Sequence, residues 1–562
     1  MTEQVRDRIN LIYKMANSNE EIELPFKILV LADLNPQAEA DLFDQAETIQ
    51  LTSARLNPVF NTLQPQLDLR VKNHLSAEPE YLDFDLSFWM IEDFEPGYVS
   101  NMIPGFEDLL VLRESLCELI EFPPEEFDED VNELLESIGL NRDDPNQVTT
   151  AIAIIDEKLS DQLNAVLHHP DFMALESAWR GLEYLVNQVD FHENCQVDVL
   201  SVSKDDLQSS FEDSPEVTQS PLYQLVYSNE FGQFGGRPYS VIVGDYQFGP
   251  NMQDMALLQA LAKMSAIAHA PFLTAASAKF FGLDKYEEFS RMRDLNSHFS
   301  QPLYDKWLSF RATPDARYVG MCMPRFLLRK AYRDIDLGFE FTESFKRSSE
   351  KGLWGNAAFA LAAKAAAAFA NYRWFVNMVG EEHGELDSLK LETGRGASRG
   401  QIPTEVLISD RIETDLIRQG FIPVTLRKGK GKAGFYEAVC CKSPEENLSE
   451  VDAQLASQFS FILVACRFAH YLKVMQREHI GSWKGRAQVD QELNNWLKQY
   501  ISDMDNPAPG VRARRPLRNA KIRVREIEGK TGWFVITINL TPHFKYLGQP
   551  VNLQEIGRLE TS

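Results

Sequence analysis

An abrupt change of composition between Glu121 and Asn146 divides this chain of 562 residues. Pro123-Pro124 leads into Glu125-Glu-Phe-Asp-Glu-Asp130, and Arg142-Asp-Asp-Pro-Asn146 closes the segment. A run so charged and so broken by proline does not build a packed core, and it reads as a solvated acidic linker with one short helix around Val131–Ile138. At about 5–6 Å × √n, the roughly 35 residues of the linker taken as 115–148 span about 30–35 Å. Chain length points the same way, because a single hydrophobic core stops growing well short of 562 residues.

Charge follows the same division. Of the net −27, about −23 lies in residues 1–150, which hold about 32 acids and 9 bases. Such a surface repels a phosphate backbone and an anionic leaflet, so nucleic acid and direct membrane insertion are poor partners. The six cysteines are scattered without CxxC spacing, which fits a reducing cytoplasm better than a disulfide framework. Met1–Asn17 lacks the apolar core of a signal peptide. The most apolar stretch, Ala357–Val379, carries Lys364, Asn371 and Arg373 and reads as a buried alanine-rich helix, not a membrane span.

Periodicity predicts mixed strands and helices. Leu24–Leu31 is a short apolar run closed by a turn, while Leu67–Val71 and Leu82–Phe88 alternate with period two as half-buried strands do. With a helix over Phe106–Leu119 they form a small α+β unit. Beyond Thr149, helices are expected over Ala151–Val166, Phe172–Val186, Met252–His269 and Leu448–Glu478. Buried strands are expected at Tyr239–Tyr246, Tyr318–Met323 and Glu405–Ser409, and two more within Leu517–Leu540, joined at Gly529-Lys-Thr-Gly532. The fold class is α/β (mixed α+β), with mixed sheets flanked by helices. Expected divisions are 1–114, a linker 115–148, 149–445 and a C-terminal long helix plus strands over 446–562.

No reaction emerges from the residues. Gly396-Ala-Ser-Arg-Gly400 spells a nucleophile elbow around Ser398, but a strand with Pro403 follows where that motif needs a helix. Lys428-Gly-Lys-Gly-Lys432 lacks the spacing of a P-loop. His168 and His169 are adjacent, so on a helix they point about 100° apart and chelate poorly, which suits helix-end or packing roles. Cys466 and His470 share a helix face without a third group, and Glu381–Glu385 reads as an exposed turn. We therefore expect no enzyme, no metal and no cofactor. One dense basic segment remains: Arg512, Arg514, Arg515, Arg518, Lys521, Arg523 and Arg525. In a chain this acidic it reads as an electrostatic assembly interface.

Several blocks carry a family resemblance. Asp161-Gln-Leu-Asn-Ala-Val-Leu-His-His-Pro-Asp-Phe172, Leu175-Glu-Ser-Ala-Trp-Arg-Gly-Leu182 and Glu230-Phe-Gly-Gln-Phe-Gly-Gly236 are followed by Trp354-Gly-Asn-Ala-Ala358, Arg467-Phe-Ala-His-Tyr-Leu-Lys473 and Arg515-Pro-Leu-Arg518. From Thr149 to the C-terminus the chain resembles the large subunit of a type VI secretion contractile sheath. Leu24-Pro-Phe-Lys-Ile-Leu-Val-Leu-Ala-Asp33, Val71-Lys-Asn-His-Leu-Ser76 and Leu109-Leu-Val-Leu-Arg113 resemble the N-terminal part of the small subunit. The resemblance implies a cytoplasmic, bacterial structural protein that polymerises around an inner tube and contracts to propel it.

Its implied partners are other sheath protomers (copies of itself or separate sheath subunits), the inner tube protein, baseplate components and a recycling AAA+ unfoldase. A sheath-like adaptor or cap that does not polymerise is the alternative. The acidic linker stands where the family has further sequence, at the start of the large subunit and at the end of the small one. The strand exchange and the unfoldase helix that the resemblance implies both depend on that missing sequence.

Overall fold

The computed structural model describes residues 11–14, 21–38, 47–121, 145–233, 235–292, 294–344, 352–386, 403–427, 433–444, 456–478, 486–502, 515, 517–526, 534–542, 545–546, 549–550 and 557–559. In chain order the elements used below are β1 (Phe26–Ala32), β2 (Ile49–Leu51), β3 (Gln66–Lys72), β4 (Tyr81–Ser87), α1 (Phe106–Glu121), α2 (Pro145–Leu167) and α3 (Pro170–Gln188). Next come β5 (Cys195–Ser201), α4 (Lys204–Asp213), β6 (Val241–Phe248), α5 (Met252–Ala268), β7 (Phe272–Ala276), β8 (Val319–Met323) and β9 (Phe326–Lys330). The last are β10 (Gly352–Gly355), α6 (Ala357–Tyr372), β11 (Phe421–Pro423), α7 (Phe459–Glu478), α8 (Arg486–Lys498), β12 (Leu517–Glu526), β13 (Phe534–Pro542) and β14 (Gly557–Leu559).

A seven-stranded sheet in the order β11-β8-β7-β6-β1-β5-β2 organises the molecule. Its neighbours are parallel except for β2, which runs antiparallel to β5. Parallel sheets are covered on both faces, and β1 shows why the sequence permits this. All seven of its residues are buried. Phe26, Ile28 and Val30 enter one core while Leu29 and Leu31 enter the other, the period-two alternation of a strand between two layers. β6 divides likewise, Val241 and Val243 from Ile242, Tyr246 and Phe248.

α6, with Asn356 capping its first turn, lies on the first face and packs against α3. Gly181 makes that approach possible, since a Cβ there would stand 2.6 Å from the Phe359 ring. α5 and an aromatic cluster around Phe280, Trp307 and Phe421 cover the second face.

Strand β1, from the first tenth of the chain, therefore sits between β5 and β6, with Phe26 opposite Cys195 and Ile28 opposite Val241. Residues 1–114 and the segment after Thr149 share this sheet. The β3–β4 hairpin buries Leu67, Leu69 and Val71 in the first core beside α2 and α3. Arg113 of α1 reaches Asp156 of α2 at 2.5 Å.

The expected strand Glu405–Ser409 is not one. Thr404 makes a single bridge to Phe326, and Val406 and Ile408 drop into the second core while Leu407 faces outward. The position beside β8 is taken by β11. Of the expected linker 115–148, α1 takes the residues up to Glu121 and α2 those from Pro145, while residues 122–144, Gly396–Gly400 with Ser398, and Lys428–Lys432 lie outside the described residues. Among those described, no helix is long and apolar enough to cross a membrane.

Candidate assembly interface

The C-terminal strands stand on an aromatic base. Along α7, α8 and the residues just after it, Phe468, Tyr471, Trp496 and Tyr500 pack edge to face or stacked, with ring centroids 5.4–6.0 Å apart. Burial pushes the Tyr471 phenol up to about 12, so it keeps its proton. It donates to Leu11 O at 2.5 Å and accepts from Leu24 N at 2.8 Å. Arg467 donates to Leu24 O at 2.7 Å and Trp496 to Ile12 O at 2.7 Å. The beginning of the chain is thereby stitched to its end.

On this base β12 pairs with β13, and β13 with β14, all antiparallel. Ile522 and Val524 are buried towards α8, whose Val489, Leu493, Trp496 and Leu497 are buried in turn. Lys521, Arg523 and Arg525 alternate with them and are exposed. The register sets Thr537 opposite Arg523 and Asn539 opposite Lys521, so neighbouring positions across the ladder carry no acid. Arg515 is exposed and Arg518 half-buried, whereas Arg512 and Arg514 lie outside the described residues. The structure thus brings three of the seven sequence-selected bases into one row.

The free edge of β12 is closed by side chains. Asn494 of α8 donates to Ile522 O and accepts from Ile522 N, both at 3.0 Å. Asp490 accepts from Val524 N at 3.1 Å. At the strand's start Ser502 N donates to Leu517 O at 2.8 Å. These groups do what a neighbouring strand would do, so a donated strand finds no open ladder on this side. Sequence reasoning missed this, because Asp490 and Asn494 look like ordinary polar residues of an amphipathic helix.

Buried charges elsewhere are answered internally. Arg329 of β9 holds Glu176 at 2.6 and 3.0 Å and Glu343 at 2.8 Å, while Arg180 joins Glu176 at 2.7 Å. His168 contacts Glu343 at 3.0 Å, and His169 caps α3 by accepting from Asp171 N. His470 bonds Ala268 O at 3.1 Å, and burial pushes its pKa down to about 3. Lys473 donates to Ile267 O at 2.7 Å with the rings of Tyr227 and Phe231 around it, and burial lowers its pKa to about 7. Glu176 and Arg180, four apart on a helix, were the visible signal of the ion cluster.

A cavity of about 740 Å³ opens where β6, β7 and β8 end. Its Lys204 and Arg325 are already paired, with Asp254 at 2.6 Å and Glu405 at 2.8 Å. Among the described residues no group of three or more His, Cys, Asp or Glu could hold a metal ion.

The family model for the EvpB/VC_A0108 tail sheath N-terminal domain matches residues 149–442, and that for the EvpB/VC_A0108 tail sheath gpW/gp25-like domain matches 448–559. A third, described as type VI secretion system, VipA, VC_A0107 or Hcp2, matches residues 1–151. The chain belongs to the tail sheath proteins of type VI secretion systems and joins small-subunit and large-subunit sequence in one polypeptide. It is a structural component of a contractile sheath.

The type VI secretion system sheath protein TssC1 of Pseudomonas aeruginosa is 37% identical over 437 residues, covering 75% of this chain and 88% of the relative. Two solved structures are more distant. A chain of the anti-feeding prophage baseplate is 8% identical with a TM-score of 0.37, covering 67% of this chain and 80% of that one. A chain of a contracted extracellular contractile injection system sheath is 7% identical with a TM-score of 0.35, covering 67% and 78%.

Proposed function

We propose that this chain acts as a whole protomer, polymerising around an inner tube in the bacterial cytoplasm and contracting to propel it, without catalysing a reaction. The observation that carries the reading is the row Lys521, Arg523 and Arg525, held rigidly by a closed hairpin and left without a charge partner among the described residues. A row of like charges at fixed strand spacing suits a salt-dependent contact with an acidic surface. The further partners under this reading are baseplate components at one end and a recycling AAA+ unfoldase after contraction.

Because the outer edge of β12 is occupied by Asn494 and Asp490, a strand that a neighbour donates to this three-stranded sheet enters beside β14. Electron microscopy of the purified protein, alone and with inner tube protein, is the test. Tubular polymers are expected. A particle that stays monomeric and binds only the end of a preformed sheath overturns the reading in favour of an adaptor or cap.

A further inference from the structure

A second single-sign face lies on α1. Glu107, Val111, Glu114 and Glu118 recur at intervals of four, three and four residues, so they share one side of the helix, with Asp108 at its margin. All five are exposed, and Val111 keeps 57% of its surface. The opposite side is anchored in the core by Phe106 and Leu116. The helix has one base, Arg113, and it is turned away to Asp156 at 2.5 Å and Gly338 O at 2.6 Å. Neither the four carboxylates nor Lys521, Arg523 and Arg525 make an ion pair or hydrogen bond among the described residues.

The two faces match in length as well as sign. Four residues of strand carry Lys521 to Arg525 about 13–14 Å, with a charge at every step of about 6.8 Å. Eleven residues of helix carry Glu107 to Glu118 about 16–17 Å, and Glu114 and Glu118 are about 6 Å apart along the axis. Val111 falls between the acids, where the apolar stems of the arginines would cover it.

We propose that the acidic face of α1 in one copy docks on the basic face of β12 in a second copy. This rests on the sheath reading and names the contact that joins protomers. Two different patches on one chain make a heterologous contact, which propagates a filament where its rotation does not close a ring.

The test reverses each face separately and then together. A chain with Glu107→Lys, Glu114→Lys and Glu118→Lys, and another with Lys521→Glu, Arg523→Glu and Arg525→Glu, are each expected to self-associate at least about tenfold more weakly by sedimentation, with unchanged thermal unfolding. The chain carrying all six changes is expected to recover the wild-type association. Raising salt from about 0.1 M to about 1 M, which shortens screening from ~10 Å to ~3 Å, should dissociate wild type and six-fold variant alike.

Mixing a Glu114→Cys chain with an Arg523→Cys chain should give a disulfide-linked dimer that neither forms alone. If polymers form but the reversals are neutral, or the six-fold variant stays dissociated, or no mixed dimer appears, the contact is wrong while the sheath reading stands. If the wild type forms no polymer even with inner tube protein, both fail.

Discussion

β1 and β12 are both strands that carry cations, and they treat them in opposite ways. Lys27 in β1 is buried, and its ammonium meets Asp198 at 3.1 Å, Glu230 at 2.7 Å and the face of Tyr239 at 4.1 Å. Lys521, Arg523 and Arg525 in β12 stand on a surface and meet no carboxylate among the described residues. Inside a core, the chain must supply the counter-charge itself, because an unmatched buried ion is not tolerated. On a face, water meets the cation until another molecule does. Under the proposed assembly, the difference separates a strand that builds the fold from one that would build an interface.

The largest break in this contrast is expected at Arg329. Arg329→Met leaves Glu176 and Glu343 buried beside each other, and should cost about 3–5 kcal/mol in denaturant unfolding. Burial works against the Glu343 carboxylate, yet His168 and Arg329 hold its pKa below the ordinary 4.5. A depressed carboxyl stabilises the fold above the unfolded value and loses that contribution as pH falls through the folded one. Wild-type stability should therefore drop more steeply below pH 4.5 than that of the variant, in which the arginine that holds the carboxylate down is gone.

Lys473 sharpens the contrast as a buried cation without a carboxylate. Its folded pKa of about 7 lies below the unfolded 10.5. Between those values the unfolded chain binds the extra proton, so wild-type stability rises with pH by at most about 1.4 kcal/mol per unit. Lys473→Met should be favoured most at or below about pH 7 and lose that relative advantage steadily towards about pH 10. Parallel stability curves for the two proteins across this range would show that Lys473 is charged throughout.

How much of this was legible in the chain depends on whether the determinant is local. β1 was readable because a strand covered on both faces is apolar at every position. Its place between β5 and β6 was not, since its partners Cys195 and Val241 leave no trace in the residues beside it. Glu405–Ser409 has a strand's composition but meets a sheet whose neighbouring position is filled. β12 announced itself by alternation. The acids of α1 have a visible period, yet only the packing of α1 on α2 shows that Arg113 is withdrawn from their face.

The closed edge of β12 gives a smaller effect. Asn494→Ala removes the donor and the acceptor that serve Ile522, at a cost of about 1–3 kcal/mol. Amide exchange should quicken at Ile522 and stay slow in β1. Equal exchange at Ile522 in both proteins would mean that water replaces Asn494 without loss.

The smallest expected effect is at Arg523. Its side chain has no partner among the described residues, and its neighbours Ile522 and Val524 carry the packing, so Arg523→Gln should change unfolding by no more than about 0.5 kcal/mol. The same loss of one positive charge at Arg329 is expected to cost several times more, although both arginines sit on strands. Assembly should reverse that ranking: Arg523→Gln weakens polymer formation at low salt and loses its effect at high salt, where the wild-type contact is screened as well. A shift in unfolding comparable to that at Arg329 would show that Arg523 is held by a group within the chain, and the row on β12 would then belong to the fold and not to the interface.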